Sequence, residues 1–375
     1  MGGGILGTFH AYHALLQGHS VILLEKNKIV QGATVRNFGQ IVPSGMDSKW
    51  QAYGRESLDI YKKLQSYFDI SVREEGTIYL ASDQEEMQLL AELRAINQKN
   101  DYPSELWSKA KCLKAYPNLK PDYVQGALYF PEEVNVSPSM LVHRVQDFLV
   151  DQYDLVLKKK TKIIAVEAIE NKGCKLRDNY GQEYAAEKVL ICNGTDFQTL
   201  YPALFEDAGL LAVKLQMLQT HPQSKVNLPG SILTGLSIRR YEAFAECPSY
   251  ADIKAKEPAQ SLAKDYGVHI LFKQERDGSV IIGDTHEYAD ARDQDELDFA
   301  INERMNDFVI EEAQKIFHLD NWSMARRWSG FYSQCKDSDI FTYDLDNKIH
   351  IVTGIGGKGM TGSPGFAAHH IQNIL

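Results

Sequence analysis

The chain lacks the features that mark membrane-spanning, secreted and nucleic-acid-binding proteins. None of its apolar runs approaches the roughly 20 residues of a membrane span, and no basic segment followed by an apolar one opens it. Acidic residues outnumber basic ones, 50 Asp plus Glu against 40 Lys plus Arg, and the formal charge of −10 repels nucleic acid and anionic membranes. We therefore expect a cytoplasmic protein with no nucleic-acid partner and no membrane span.

Cysteine is scarce as well. The five cysteines are scattered without a C-x-x-C pair, which suits reduced thiols better than a disulfide framework. The neighbouring histidines His10 and His13, like His369 and His370, have no carboxylate or cysteine at ligand spacing. The sequence therefore predicts no metal site.

A glycine fingerprint stands at the start of the chain. Gly2, Gly4 and Gly7 follow the order G-x-G-x-x-G, and a helix-like stretch then leads into a short apolar strand that closes on Glu25. Such glycines allow a sharp turn and admit a pyrophosphate against bare backbone, while the acid accepts hydrogen bonds from an adenosine ribose. An acid at this place favours an unphosphorylated ribose, hence FAD or NAD.

The strand that normally precedes this fingerprint is missing from the sequence. In a dinucleotide-binding sheet that strand lies near the middle, so its loss would remove hydrogen-bond partners from both neighbouring strands. We expect either a Val/Ile-rich segment upstream of Met1 in a longer native chain, or weak binding of the dinucleotide by the chain as it stands.

A second glycine turn lies near the other end. The apolar stretch 349–352 is followed by a glycine cluster at 354–359 and then by a helix-compatible segment. Two such turns at opposite ends imply that the termini meet around one ligand. Between them, residues from about 211 to 284 alternate apolar and polar in short runs, including Val268–Phe272, and predict an antiparallel sheet.

A loop of small and polar residues at 31–40 contains the sequence Arg36-Asn37-Phe38-Gly39. Together with the two glycine turns, this loop resembles the FAD-dependent oxidoreductases of the D-amino-acid oxidase and glycine oxidase superfamily. The loop is also similar to that of a subgroup linked with organophosphonate breakdown, and the resemblance extends from Gly2 to near the carboxyl end. It implies FAD as the cofactor. We expect the FAD to be held without a covalent bond and Cys335 to be an ordinary buried thiol, with a covalent flavin at Cys335 as the alternative.

The resemblance implies an α/β fold with two domains. One is a discontinuous Rossmann-like FAD-binding domain without its first strand, over 1–72, 138–210 and 334–375. The other is an α+β substrate-binding domain built on an antiparallel sheet, over 73–137 and 211–333. The implied cofactor-binding residues are Gly2, Gly4, Ile5, Leu6, Gly7, Glu25, Lys26, Ala33, Thr34, Arg36, Asn37, Phe38, Gly39, Gln40, Val166, Asn193, Gly194, Gly354, Gly356, Gly357, Lys358, Gly359, Met360 and Thr361.

The substrate end departs from the family pattern. Where family members carry W-x-G-x-R, whose arginine grips a substrate carboxylate, this chain ends the motif Trp328-Ser329-Gly330-Phe331 with Tyr332. Other cations are therefore expected to bind the substrate anion, and arginine suits a tetrahedral phosphonate. The candidate substrate-binding residues are Arg239, Tyr241, Arg326, Arg327, Trp328 and Tyr332, with Arg240 beside them. The candidate catalytic residues are Gln40, Tyr332 and His269, with His286 as a second histidine that either orients a substrate amine or packs.

The resemblance implies oxidative deamination of a small amine, an aminophosphonate or an amino acid, by hydride transfer to the flavin. The electrons would pass to oxygen or another acceptor, and the oligomeric state stays open. One alternative is an NAD-dependent dehydrogenase, which shares the first fingerprint but leaves the second glycine turn unexplained. Another is a non-catalytic remnant or binding module that kept the fold.

Overall fold

The computed structural model describes residues 1–170 and 172–375. In these ranges the α-helices are α1 (Ile5–Leu16), α2 (Ser48–Tyr67), α3 (Gln84–Lys99), α4 (Lys109–Ala115), α5 (Pro138–Tyr153), α6 (Pro202–Glu206), α7 (Gly235–Ile238), α8 (Glu242–Ala245), α9 (Tyr250–Ala255), α10 (Leu262–Asp265), α11 (Glu303–Ile316) and α12 (Gly359–Ile374). Short 3₁₀ turns lie at Ala33–Val35, Pro43–Gly45, Ala291–Leu297 and Gly356–Lys358.

The strands of the same ranges form several sheets. They are β1 (Ile22–Glu25), β2 (Gln40–Ile41), β3 (Thr77–Ala81), β4 (Glu105–Ser108), β5 (Gly126–Phe130), β6 (Val134–Asn135), β7 (Val156–Lys159), β8 (Ile163–Ile169), β9 (Gly173–Asp178), β10 (Glu183–Ala186), β11 (Val189–Ile191), β12 (Leu210–Thr220), β13 (Ser231–Leu233), β14 (Leu271–Gln274), β15 (Val280–Asp290), β16 (Met324–Cys335), β17 (Phe341–Leu345) and β18 (Ile349–Thr353).

Parallel strand pairs surround the first glycine turn. Strand β1 pairs in parallel with β7, and β11 pairs in parallel with β18. The backbone of Met1 and Gly2 runs between β1 and β11: the Gly2 amide donates to the Leu24 carbonyl at 2.8 Å, and the Cys192 amide donates to the Met1 carbonyl at 2.9 Å. Residues 1–3 are not in a strand, but they occupy hydrogen-bonding groups of the strands on either side.

The largest sheet has eight strands in the order β16-β12-β15-β14-β13-β3-β5-β4. Neighbours pair antiparallel except β13 and β3, whose register Ile232 to Ile78 is parallel. The expected antiparallel sheet is therefore mixed, because β3 comes from the early part of the chain and joins the later strands side by side.

Both faces of this sheet are covered by apolar packing. Along β3, Ile78 and Leu80 pack into the core that includes α11, whereas Tyr79 packs into the core on the opposite face, with Phe244 of α8. Successive strand residues point to opposite faces, so a strand with two covered faces is buried along its whole length. All five residues of β3 are buried accordingly.

Two local expectations are corrected. The predicted strand Val268–Phe272 begins only at Leu271, and His269 lies in the irregular segment before it. The helix-compatible segment after the second glycine turn, expected over Ala367–Ile374, belongs to a longer helix that begins at Gly359, at the turn itself. None of the described helices is both long and apolar enough to cross a membrane.

Candidate active site

One large cavity of about 870 Å³ connects the two ends of the chain. Its lining includes the first glycine turn, Glu25, the loop after β1, the second glycine turn and residues of the eight-stranded sheet. This volume lies at the upper end of the range of ~300–1,000 Å³ for small-molecule sites. The termini therefore meet around one site, and the large sheet closes its far side.

The first turn can form only with glycine at two of its positions. Gly2 has φ +87°, in the left-handed region that side chains rarely adopt, and a Cβ there would collide with the Cys192 carbonyl. A Cβ on Gly7 would collide with the Gly2 carbonyl, so α1 packs directly on the turn. Helix α1 consequently starts at the cavity with Gly4 as its N-cap, which has no side chain to cap it.

Glu25 is held rigidly at the end of β1. One carboxylate oxygen accepts the Gly3 amide hydrogen at 2.8 Å, and the other accepts that of Asn27 at 2.8 Å. The side chain is buried and lines the cavity. A carboxylate fixed this way keeps further lone pairs for ribose hydroxyls, the role that such an acid has in dinucleotide folds.

The loop after β1 is folded on its own side chains. The Asn37 amide donates to the carbonyls of Ala33 and Thr34 at 3.0 and 2.8 Å, and its oxygen accepts the Gly39 amide hydrogen at 2.8 Å. The loop ends at Gln40, whose buried Nε2 has no hydrogen-bond partner among the described residues. A buried donor without a partner is rare and costly, so it points to a ligand.

The second turn presents another helix start. Helix α12 begins at Gly359 without a side-chain cap, and its first residues line the cavity. A helix N-terminus carries unpaired amides and a partial positive charge that stabilise anions. Beside this turn, Asn193 follows β11, the parallel neighbour of β18, and its buried Oδ1 also lacks a partner within the described ranges.

The sheet end of the cavity is polar and crowded. The ring of Tyr241 lies 5.0 Å from that of His269, His269 lies 5.5 Å from His286, and His286 lies 6.2 Å from Tyr332, measured between centroids. His269 Nδ1 is 3.1 Å from Ser237 Oγ. Because a carbonyl can only accept, His286 Nδ1 donates to the Gly267 carbonyl at 2.8 Å.

Burial keeps several of these groups neutral. It lowers the pKa of His269 well below its usual value, with the nearby Arg240 and His286 adding to the effect. It raises the pKa values of the Tyr332 and Tyr241 phenols well above the usual value for tyrosine. At neutral pH this end of the cavity therefore holds an uncharged His269 and two intact phenols beside one guanidinium, that of Arg240.

The structure brings most of the residues expected from the sequence to this cavity. Tyr241, His269, Tyr332 and Gln40 line it, as do the cofactor-binding candidates other than Arg36 and Val166. Their individual roles stay predictions.

Arg36 and Trp328 connect the loop to the sheet and are not among the residues that line the cavity. Arg36 donates to the carbonyls of Gln31 and Ser329 at 2.8 and 3.0 Å, and the Trp328 indole donates to the Arg36 carbonyl at 3.0 Å. Val166 is not among the lining residues either: its side chain is in the core and its carbonyl accepts the hydroxyl hydrogen of Tyr201 at 2.7 Å. Residues 161–163 line the cavity instead.

Three of the arginines expected to bind the substrate anion lie away from the cavity. Arg239 is bound by acids on the outer side of α7, with Nε 3.0 Å from Glu86 and Nη2 2.8 Å from Asp83. Arg326 stacks over the Trp328 ring at 5.1 Å, and Arg327 lies 3.4 Å from Glu303 with 40% of its side chain exposed. None of the three lines the cavity.

Arg240 is the arginine that faces the cavity. Its Nη1 is buried without a hydrogen-bond partner among the described residues. Asp284 carries no signal in the sequence that marks it as a site residue, since an acid inside a strand resembles any exposed strand acid. Asp284 lines the same end of the cavity. One cavity therefore joins a glycine turn, the fixed Glu25 carboxylate, two helix starts and a polar end formed by the sheet. This combination is typical of dinucleotide-dependent proteins with a small-molecule site.

Comparison with known proteins assigns the family. A family model described as "DAO: FAD dependent oxidoreductase" matches residues 1–372, so the chain belongs to this family. FAD is the family's cofactor, which replaces the NAD alternative. The residues present fit FAD, because two helix starts, the Glu25 carboxylate and the unpartnered Gln40 and Asn193 line one cavity. Ala33, Asn37 and Thr361 would lie along the bound group.

Solved structures share the fold. Glycine oxidase from Bacillus cereus ATCC 14579 has a TM-score of 0.78 at 18% identity, over 100% of this chain and 93% of that chain. L-Proline dehydrogenase from P. horikoshii has a TM-score of 0.79 at 18% identity, over 100% and 91%.

Two mouse mitochondrial proteins match part of the sequence. The pyruvate dehydrogenase phosphatase regulatory subunit of Mus musculus is 30% identical over 139 residues, and sarcosine dehydrogenase of Mus musculus is 25% identical over 143 residues. These matches cover 36% and 37% of this chain and 16% of each relative. The chain therefore matches only a small part of the length of these two relatives.

Proposed function

We propose that the protein oxidises a small primary or secondary amine that carries an anionic group, with an aminophosphonate as the preferred class. The single observation that carries this proposal is Arg240, a half-buried arginine at the sheet end of the cavity whose buried Nη1 has no hydrogen-bond partner among the described residues. Arg240 forms no ion pair within 4.0 Å among the described residues, although Asp284 lines the same end of the cavity, so its guanidinium is available to bind an anion.

The overall reaction converts an amine and water into a carbonyl compound and ammonia or a smaller amine. Two electrons pass to FAD when it is bound, and then to oxygen or another acceptor. The chain's own residues bind and orient: Arg240 holds the anion, and Tyr241 and Tyr332 enclose it with neutral phenols. Neutral His269 offers an uncharged nitrogen beside them.

The residues at the sheet end of the cavity support a phosphonate as the anionic group of the substrate. Tyr332 takes the place of a carboxylate-binding arginine, and Arg240 comes from a different segment, at the end of α7. A phosphonate has three oxygens, which the guanidinium and the two phenol hydroxyls can contact together. The relatives named for glycine, proline and sarcosine act on amines beside a carboxylate, so carboxylates are the comparison class.

The test is a kinetic comparison of matched substrates. The FAD-loaded protein is assayed with 2-aminoethylphosphonate and with β-alanine, which has a carboxylate in place of the phosphonate. We expect the higher kcat/KM for the phosphonate, and we expect Tyr332→Arg to shift the ratio toward β-alanine. Equal or lower turnover of the phosphonate in the wild type would refute the preference.

A second candidate is a non-catalytic FAD- or ligand-binding protein. One relative is named as a regulatory subunit, and it is 30% identical to this chain over 139 residues. The same assay distinguishes the two, because a binding protein takes up FAD and the anion without turnover. The cytoplasmic location expected from the sequence stays a prediction.

A further inference from the structure

Asp284 is a second unsatisfied charged group at the sheet end of the cavity. It lies on β15 and lines the cavity, with 14% of its side chain exposed. Its Oδ1 is buried and has no hydrogen-bond partner among the described residues. Its Oδ2 lies 3.9 Å from His286 Nε2, beyond hydrogen-bonding distance. One carboxylate therefore faces the cavity with unused acceptor capacity.

Arg240 lies at the same end of the cavity, and its charge is close to that of Asp284. A Cβ placed on Gly267 would be 2.8 Å from Arg240 Nη1 and 3.0 Å from His286 Cβ, so the guanidinium borders the same small space as His286, two residues after Asp284 on β15. The charge of Arg240 favours the ionised form of Asp284 accordingly. Arg240 and Asp284 form no ion pair within 4.0 Å in the described ranges. Burying two opposite charges close together without pairing them is costly unless a ligand pairs with both.

We infer that Asp284 is the binding site for the substrate's ammonium or amine group, so that Asp284 and Arg240 together recognise a zwitterion. This inference rests on the proposed function, in which Arg240 binds the anion. The ligand class is a small molecule with a protonatable amine and an anionic group within a few bonds of each other. Burial raises the pKa of Asp284, and Arg240 and His286 oppose that rise by favouring the carboxylate.

A metal ion is the competing occupant. Ligand atoms of His269, Asp284 and His286 lie within 4.8 Å of one another, close enough for a divalent cation. The guanidinium of Arg240 borders the same space and repels a dication, whereas an ammonium bound together with an anion brings no net charge. The two histidines also already use Nδ1 for Ser237 and Gly267. The zwitterion is the better match to the charges present.

The test measures binding without turnover. The probes are 2-amino-2-methylpropylphosphonate and 2-aminoisobutyrate, whose amine carbons carry no hydrogen and cannot be oxidised. Their partners, 2,2-dimethylpropylphosphonate and trimethylacetate, have a methyl group in place of the amine. Each is titrated into the FAD-loaded protein, and the dissociation constant is read from the change in flavin absorbance.

We expect the wild type to bind each amine more tightly than its methyl partner, and Asp284→Asn to reduce that preference about 10- to 100-fold, as for a charge-assisted hydrogen bond. Arg240→Met should weaken both members of a pair equally. Asp307→Asn, which removes an exposed carboxylate on α11, should change neither. If Asp284→Asn does not hold FAD, Asp284→Ser serves the same comparison.

The outcomes separate this inference from the proposed function. An amine preference that depends on Asp284 while carboxylates bind better than phosphonates supports the inference and refutes the phosphonate preference. An unchanged amine preference in Asp284→Asn overturns the inference. Uptake of one equivalent of Co²⁺ by the wild type, lost in Asp284→Asn, also overturns it in favour of a metal centre.

Discussion

Replacing each of two adjacent arginines, Arg239 and Arg240, with methionine is expected to have opposite effects on stability and on substrate affinity. Arg239 is paired with Glu86, whose side chain is only 4% exposed, and with Asp83. Removing Arg239 leaves the buried Glu86 charge uncompensated, at a cost of about 3 kcal/mol in the free energy of unfolding, the lower end of the range for buried pairs because Asp83 is half exposed. Substrate affinity should stay unchanged, because Arg239 does not line the cavity.

Arg240→Met should keep the stability of the chain and lose substrate affinity. Its Nη1 has no partner among the described residues, so its loss removes an unsatisfied buried donor, but it also removes the cation that favours the Asp284 carboxylate. The two effects oppose each other, and the free energy of unfolding should change by less than about 1 kcal/mol. Loss of two charge-assisted hydrogen bonds to the substrate anion costs about 3 kcal/mol, or roughly 100-fold in affinity.

The assay combines denaturant unfolding of both variants with anaerobic binding of an anionic ligand, followed by flavin absorbance. The account requires a destabilised variant that binds normally, Arg239→Met, and a stable variant that binds poorly, Arg240→Met. If Arg240→Met is the destabilised variant and keeps its affinity, the assignment of the two arginines is refuted.

Two further predictions concern the cofactor and a buried carboxyl. Gly7→Ala should weaken FAD binding about 10- to 100-fold in equilibrium dialysis while the chain keeps its circular dichroism, because the added methyl forces α1 away from the Gly2 carbonyl; unchanged affinity would contradict the close packing of the turn. Burial raises the pKa of Glu133 from 4.5 to about 7, although Ser44 and Tyr102 donate hydrogen bonds to it. Because the pKa of Glu133 is higher in the folded chain than in the unfolded chain, its contribution to the free energy of unfolding is fully present below pH 4.5. That contribution, about 3 kcal/mol, is lost as the pH rises through 7. Glu133→Gln should flatten that part of the pH–stability curve, and a curve identical to that of the wild type would show that Glu133 titrates normally.

The sequence predicted the cofactor end better than the substrate end, for a physical reason. A glycine that must adopt φ +87°, or that must admit a helix against a carbonyl, is determined by its immediate neighbours, so Gly2 and Gly7 could be identified from spacing alone. Glu25 follows from the same local unit, because it ends the strand after α1.

Residues that depend on long-range packing could not be placed from the sequence. Arg239 and Arg240 are adjacent at the end of α7, where successive side chains point about 100° apart, and only the position of α3 decides which one meets the acids. Arg36 is held by Ser329 of β16, almost three hundred residues away in the chain. The backbone irregularity between Ile163 and Ala165 shifts the register of β8, and residues 161–163 reach the cavity in place of Val166.

The most direct test of the central claim is an anaerobic absorbance spectrum of the purified chain. The account predicts a flavin spectrum whose visible bands bleach when 2-aminoethylphosphonate is added without oxygen, and that recovers when air is admitted or another acceptor is added. A protein that takes up FAD and keeps an unchanged spectrum with 2-aminoethylphosphonate, β-alanine, glycine and sarcosine would contradict it.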